Sequence, residues 1–118
     1  MNEDRHIQEV KSATTLRFNE LWKQNFQANR NAILKNPGIV ALTQKLKEIP
    51  AIIVGAGPSL DKNINLLIRA QEHSLILASD AALKPLLLQG VTPSIVVSLD
   101  PQEEIAKFFQ GVSHRGMT

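Results

Sequence analysis

The residues whose types and spacing can do chemistry in this chain are a glycine segment, Gly55-Ala56-Gly57-Pro58-Ser59, and two aspartates, Asp80 and Asp100. The glycine segment directly follows the apolar run Ala51-Ile52-Ile53-Val54 and precedes a helical pattern, the context in which such a loop is meaningful. Glycines let a backbone turn tightly and approach a phosphate with no Cβ in the way. The free amides and dipole at the start of the next helix favour an anion there. Ser59 adds a hydroxyl donor, and Pro58 stiffens the turn. The third glycine position of the dinucleotide fingerprint is Leu60, and the loop has no Lys-Ser/Thr pair of a P-loop, so NAD binding and P-loop hydrolysis are both demoted. A purely structural reading stands beside the functional one: a strand-to-helix turn that needs glycine for its dihedrals, with Ser59 or Asp61 as helix cap.

Asp80 and Asp100 weigh against that plainer reading. Each ends an apolar run, as Gly55 does. In a parallel sheet the three strand ends lie along one edge, where open α/β folds bind their ligands. Carboxylates beside a diphosphate hold Mg²⁺ or grip ribose hydroxyls. Ser79 and Ser98 flank them and either donate to a phosphate or fill small spaces at strand ends. The structural alternatives are a cap on the turn at Ala81 for Asp80, and a cap ahead of Pro101 at the first helical position for Asp100. The remaining candidates carry less. His6, His73 and His114 form no ligand spacing, and no nucleophile-base-acid set is visible. Lys84 is read as a solvated lysine or a phosphate contact, Trp22 and Phe26 as an apolar helix face.

Elements that alternate in type must position these groups. Apolar residues from Ile7 to Leu34, among them Val10, Phe18, Leu21, Trp22 and Phe26, recur at helical spacing. Asn36-Pro37-Gly38 is a turn signal. A second short helix is expected next, with Ile39, Val40, Leu42 and Leu46 inward, closed by Pro50. Buried strands are expected at residues 51–54, 74–78 and 94–99. Helices are expected between them from Asp61 to Glu72 and, because Pro85 would interrupt the ladder, from about Lys84 to Gln89. A last helix is expected from Gln102 to Gln110, and no strand after Gly111. Strand and helix in alternation signify a parallel sheet. The expectation is an α/β, Rossmann-like three-layer unit with a short sheet at residues 49–118, preceded by an N-terminal helical segment at residues 1–48. Three strands make a thin sheet, which points to a fragment of a larger protein or to self-association.

Composition narrows the function classes. The chain has 118 residues, 43% hydrophobic and 20% charged, the balance of a small globular domain. It has no cysteine, which excludes disulfides and thiolate zinc sites. No apolar run reaches the ~20 residues of a membrane helix, and the polar start is followed by no signal-peptide core, so a cytoplasmic protein is expected. The net charge of +2 and the absence of tyrosine argue against a nucleic-acid binder.

Three segments in order, Ala51-Ile-Ile-Val-Gly-Ala-Gly-Pro-Ser-Leu60, Ala78-Ser-Asp-Ala-Ala-Leu-Lys-Pro-Leu-Leu87 and Val96-Val-Ser-Leu-Asp-Pro-Gln102, resemble the 6-hydroxymethylpterin diphosphokinase (MptE)-like family. That family includes the bacterial motility accessory factors, implicated in glycosylating flagellin with nonulosonic sugars. The stretch Phe18–Asn25 is similar to the segment preceding this domain in the bacterial members. The Gly-Ala-Gly-Pro-Ser-Leu loop is also similar to the loop that holds a CMP-sugar in bacterial sialyltransferases, which implies nucleotide contacts from Gly55, Gly57, Pro58 and Ser59. The acidic strand ends resemble those of pterin and thiamine pyrophosphokinases and imply Mg²⁺ or phosphate roles for Asp80 and Asp100.

With Ala56 in the loop and Ser79 beside Asp80, the expected site is a nucleotide site with Mg²⁺ as its cofactor. Family members are much longer, so the resemblance implies a chain incomplete at its C-terminus that binds without necessarily catalysing. The expected function is the nucleotide- or nucleotide-sugar-binding part of a transferase: nonulosonic sugar transfer to flagellin or another protein acceptor first, ATP-dependent pterin diphosphorylation second, a non-catalytic binding or assembly module third. A homodimer is the expected assembly, because the Trp22/Phe26 face needs burial.

Overall fold

In a computed structural model that describes residues 2–112, with side chains from Ile7 onward, the chain divides into two compact units, Met1–Leu42 and Thr43–Thr118. His114 and the rest of the tail expected beyond Gly111, from Ser113 on, lie outside the described residues, as does the side chain of His6.

The first unit is dominated by helix α1, Asn2–Lys35. Neither glycine nor proline occurs within it, and the Asn36-Pro37-Gly38 signal ends it. The Asn36 side-chain amide donates to the Ala32 carbonyl at 2.8 Å, satisfying one of the carbonyls a helix end leaves open, and Gly38 takes the left-handed φ of 65° that suits glycine. Trp22 and Phe26 on this helix are exposed, with the Phe18 and Trp22 rings 6.0 Å apart. A 3₁₀ turn, Ile39–Leu42, follows. The second amphipathic helix expected there is not formed. Ile39 and Val40 are exposed rather than inward, and Gln44 and Glu48 adopt φ of 70°, a left-handed conformation that no helix of L-residues propagates.

The second unit is a three-stranded parallel sheet with two helices: β1 (Ala51–Val54), α2 (Ser59–Ala70), β2 (Leu75–Ser79), α3 (Asp80–Leu88) and β3 (Ile95–Val97), then a 3₁₀ helix, Glu103–Phe108. Strand order is β1-β2-β3. The register pairs Ile53 with Leu77 and Val54 with Ala78, and Ala78 with Val96 and Ser79 with Val97. Partners in a ladder share a face, and alternate residues take opposite faces. One face therefore carries Ile52, Val54, Ile76 and Ala78, and on it Leu60, Ile64 and Leu67 of α2 and Ala82 and Leu86 of α3 complete a single buried cluster. The other face carries Ile53, Leu77 and Val97. The chain is thus a long N-terminal helix followed by a small α/β unit whose two helices cover the same face of the sheet.

Several elements differ from expectation for identifiable reasons. β1 is an edge strand with only Val54 buried, so its apolar run does not report burial on both sides. β3 stops at Val97 because its ladder partner β2 stops at Ser79, leaving Ser98 and Leu99 nothing to pair with. Ile68, expected on the inward face of α2, is exposed. Helix α3 starts at Asp80 and runs through Pro85. The proline is exposed, so the lost ladder bond, to the Ala81 carbonyl, falls on the helix's outer side. The last helix is a 3₁₀ segment, shorter than the span from Gln102 to Gln110.

Two side chains fasten the return from α3 to β3. Gln71 donates to the Gly90 carbonyl at 3.2 Å and accepts from the Thr92 amide at 3.0 Å. The Ser94 hydroxyl oxygen accepts from the Ile76 amide at 3.2 Å, standing in for a main-chain acceptor.

Candidate functional site

The carboxyl ends of the three strands carry the candidate residues, as the parallel order requires. A cavity of about 560 Å³ there is lined by Gly55 after β1, Ser79 and Asp80 after β2 and Asp100 beyond β3, together with Ile53, Leu77, Val97 and Leu99. The structure thus brings one glycine of the loop and both aspartates to one crevice. Ala56, Gly57 and Pro58 in the connection to α2 and Ser59, the first residue of that helix, are exposed and do not line that cavity.

The loop geometry separates the two readings of its glycines. Neither Gly55 nor Gly57 adopts a left-handed φ; among the described residues the glycines that do are Gly38, Gly90 and Gly111. A Cβ on Gly55 would meet nothing within 4 Å, and one on Gly57 only the Ser59 hydroxyl at 3.9 Å. Neither the turn's dihedrals nor the packing of the described residues requires glycine here. Nor is α2 capped as the structural reading expects. Its cap position is Pro58, with no side-chain cap bond, so neither Ser59 nor Asp61 serves as its cap. The Leu60 amide donates to the Gly57 carbonyl at 2.9 Å, and the positive end of the helix dipole lies at the loop.

The aspartates are held differently. Asp80 is the first residue of α3. Its Oδ1 accepts from the Ala81 amide at 2.7 Å, and its Oδ2 accepts from the Ser98 hydroxyl at 2.6 Å. Part of its structural role is therefore real, and Ser98 joins the end of β3 to the start of α3. Asp100 is no helix cap. Its Oδ1 accepts from the Gln102 amide at 3.0 Å, and both its oxygens lie 3.1 Å from the Gln102 side-chain amide, an Asx turn around Pro101. Lys84 is engaged elsewhere: its ammonium donates to the Lys107 carbonyl at 2.6 Å, joining α3 to the 3₁₀ helix and leaving the loop without a lysine from this source. His73 sits in the turn after α2, its amide donating to the Ala70 carbonyl. Among the described residues no three His, Cys, Asp or Glu side chains cluster as a self-sufficient metal cage.

Sequence reasoning missed the apolar lining. Ile53, Leu77, Val97 and Leu99 read as core because they sit in runs of apolar residues. Val54 and Ala78 of the packed face also line the cavity, so the alternation of the strands does not by itself single out its lining.

A glycine loop and acidic strand ends on one edge of a parallel sheet define a class, the α/β units that bind ligands at the carboxyl ends of their strands. The family model described as 6-hydroxymethylpterin diphosphokinase MptE-like matches residues 24–118, and the chain belongs to that family. It is 37% identical over 75 residues to the 6-hydroxymethyl-7,8-dihydropterin pyrophosphokinase of Methanocaldococcus jannaschii, a match covering 58% of this chain and 31% of that protein. Two uncharacterized proteins of Treponema pallidum are also similar. One is 36% identical over 89 residues, covering 72% of this chain and 40% of its own length; the other is 31% identical over 107 residues, covering 90% and 18%. The chain spans less than half the length of each of these relatives. No solved structure gives a significant match. No described helix is long and apolar enough to cross a membrane.

Proposed function

We propose that the α/β unit is the nucleotide-phosphate site of a transferase that moves a diphosphate from ATP to an acceptor hydroxyl. The observation that carries this is the glycine pair at positions where nothing in the described protein demands glycine, facing a helix start with no side-chain cap. Two glycines that leave the backbone open to close approach, ahead of a helix start with no side-chain cap, suit a phosphate. The similarity to a pterin pyrophosphokinase supports the diphosphate chemistry. In that reaction the acceptor hydroxyl oxygen attacks the β-phosphorus and gives up its proton to solvent, the bond from that phosphorus to its bridge with the α-phosphate breaks, and AMP leaves. The loop amides hold and orient the phosphates and stabilise charge that grows on them.

Asp80 and Asp100 suit Mg²⁺ as hard oxygen donors on one crevice, since that ion is held by one or two carboxylates plus substrate phosphates. Bound there, Mg²⁺ would neutralise phosphate charge. Ser98 and the Ala81 amide orient Asp80, and Gln102 orients Asp100, so each carboxylate is positioned by its neighbours.

Titration with ATP, GTP, CTP, CMP and a CMP-sugar, each with Mg²⁺ and with EDTA, tests the reading through thermal stability. A ligand at ~100 times its dissociation constant adds about 2.7 kcal/mol. Expected is an ATP shift that needs Mg²⁺ and is lost in Gly57→Asp and in Asp100→Asn. No shift with any of the five would remove the proposed function.

A second reading, transfer of a nonulosonic sugar to flagellin, has one observation in its favour. A bacterial relative matches 90% of this chain, and so reaches well into α1, whereas the archaeal enzyme matches 58%. Cytidine-ligand binding that ignores EDTA would favour it.

A further inference from the structure

The cavity at the strand ends has an apolar half that phosphate binding leaves unused. Ile53 on β1 is 85% exposed and Leu99, just beyond β3, is 84% exposed; both line the cavity, as does Leu77 on the central strand. Ile53 and Leu77 are ladder partners, and Leu99 follows the end of β3 on the far side of the central strand. Leu99 is exposed, with a hydrogen-bonded residue on either side of it. The residue before it, Ser98, is bonded to Asp80, and the residue after it, Asp100, is locked in its turn with Gln102.

We propose that Ile53, Leu77 and Leu99 form an aliphatic slot for the planar base of the nucleotide whose phosphates sit on the glycine loop. The inference rests on the phosphate-site reading above. Two observations select this occupant. The cavity volume of about 560 Å³ lies within the range of small-molecule sites, and an apolar wall with a few convergent polar groups, here Asp80 and Asp100, is their usual composition. The apolar wall is also continuous with the loop, because Gly55 lines the same cavity. A helix laid over the face would satisfy the usual rule that parallel sheets are covered on both sides, but it would bring no use for two carboxylates at the rim.

The test compares nucleotides with a phosphate chain that has no base. Binding of ATP, GTP, CTP and inorganic tripolyphosphate, all with Mg²⁺, is measured by calorimetry for the wild type, Ile53→Ala, Leu99→Ala and the control Leu88→Ala, an exposed leucine outside this cavity. Expected is a loss of about tenfold in affinity for the preferred nucleotide in each slot variant, the size of one lost apolar contact set. Tripolyphosphate binding stays unchanged and the control is silent. If the wild type binds tripolyphosphate as tightly as every nucleotide, and the slot variants match it, the slot is wrong while the phosphate site survives. If the wild type binds none of the four, the phosphate-site reading itself has failed. A changed sedimentation coefficient in the slot variants, with nucleotide affinity intact, would assign the face to a second copy and overturn the slot.

Discussion

On one face of the sheet Ile76 and Ala78 are out of water, at 0% and 2% exposure, under Leu60, Ile64 and Leu67 of α2 and Ala82 and Leu86 of α3. On the other face, Ile53 at 85% and Val97 at 48% stand open. The two faces are made of the same residue types from the same runs, and neighbours in sequence such as Ile53 and Val54 go to opposite sides. Apolar character in a strand therefore says that a residue can be buried, not that it is. What decides is where the crossover helices land. Here both helices contribute to the cluster on one face, so the packed face carries the fold and the open face, at its carboxyl end, walls the candidate site.

Substitutions that break this contrast should have graded effects on stability. The largest is Ile76→Ala, which empties a fully buried position and should cost about 2–5 kcal/mol, read from denaturant unfolding. An unchanged midpoint would mean the packed face does not carry the fold. Asp80→Ala removes the acceptor of both the Ala81 amide and the Ser98 hydroxyl and should cost about 0.5–2 kcal/mol. Asp80→Asn, which keeps an acceptor oxygen, should recover part of that. Gln71→Ala releases the return between α3 and β3 and should lower stability by about 1 kcal/mol, with faster amide exchange at Thr92 as its local sign. At the bottom of the scale, Ile53→Ala and Leu99→Ala on the open side should stay within about 0.5 kcal/mol. A loss as large as that of Ile76→Ala would show that the open face is packed in solution. Gly57→Ala belongs with this last group, because its backbone is not left-handed and a Cβ there has room.

Much of the fold is legible in the residues alone. The alternation of apolar runs with helical patterns, punctuated by Gly55, Gly90 and Pro93, locates all three strands and both crossover helices, and the family resemblance is matched by the family model over residues 24–118. Less legible are the ends of elements. Pro85 reads as a breaker but is tolerated where its lost bond faces outward. Ile39 and Val40 read as an inward helical face, yet Gln44 and Glu48 leave the helical region. At the site, the glycine loop and both aspartates are visible as residue types after apolar runs. Their partners are not, because Ser98 reaches Asp80 across 18 positions of sequence.

By itself the sequence determined the parallel α/β order and, with it, that a glycine loop, Asp80 and Asp100 must share one edge, since all parallel strands end on the same side. The tertiary structure alone decided which apolar residues are core and which are surface. It also decided that Lys84 serves the 3₁₀ helix instead of the loop, and that the glycines of the loop answer to no need of the described chain. Order along the chain follows from local periodicity. Burial and pairing depend on contacts between residues far apart in sequence, and those exist only once the strands and helices have packed.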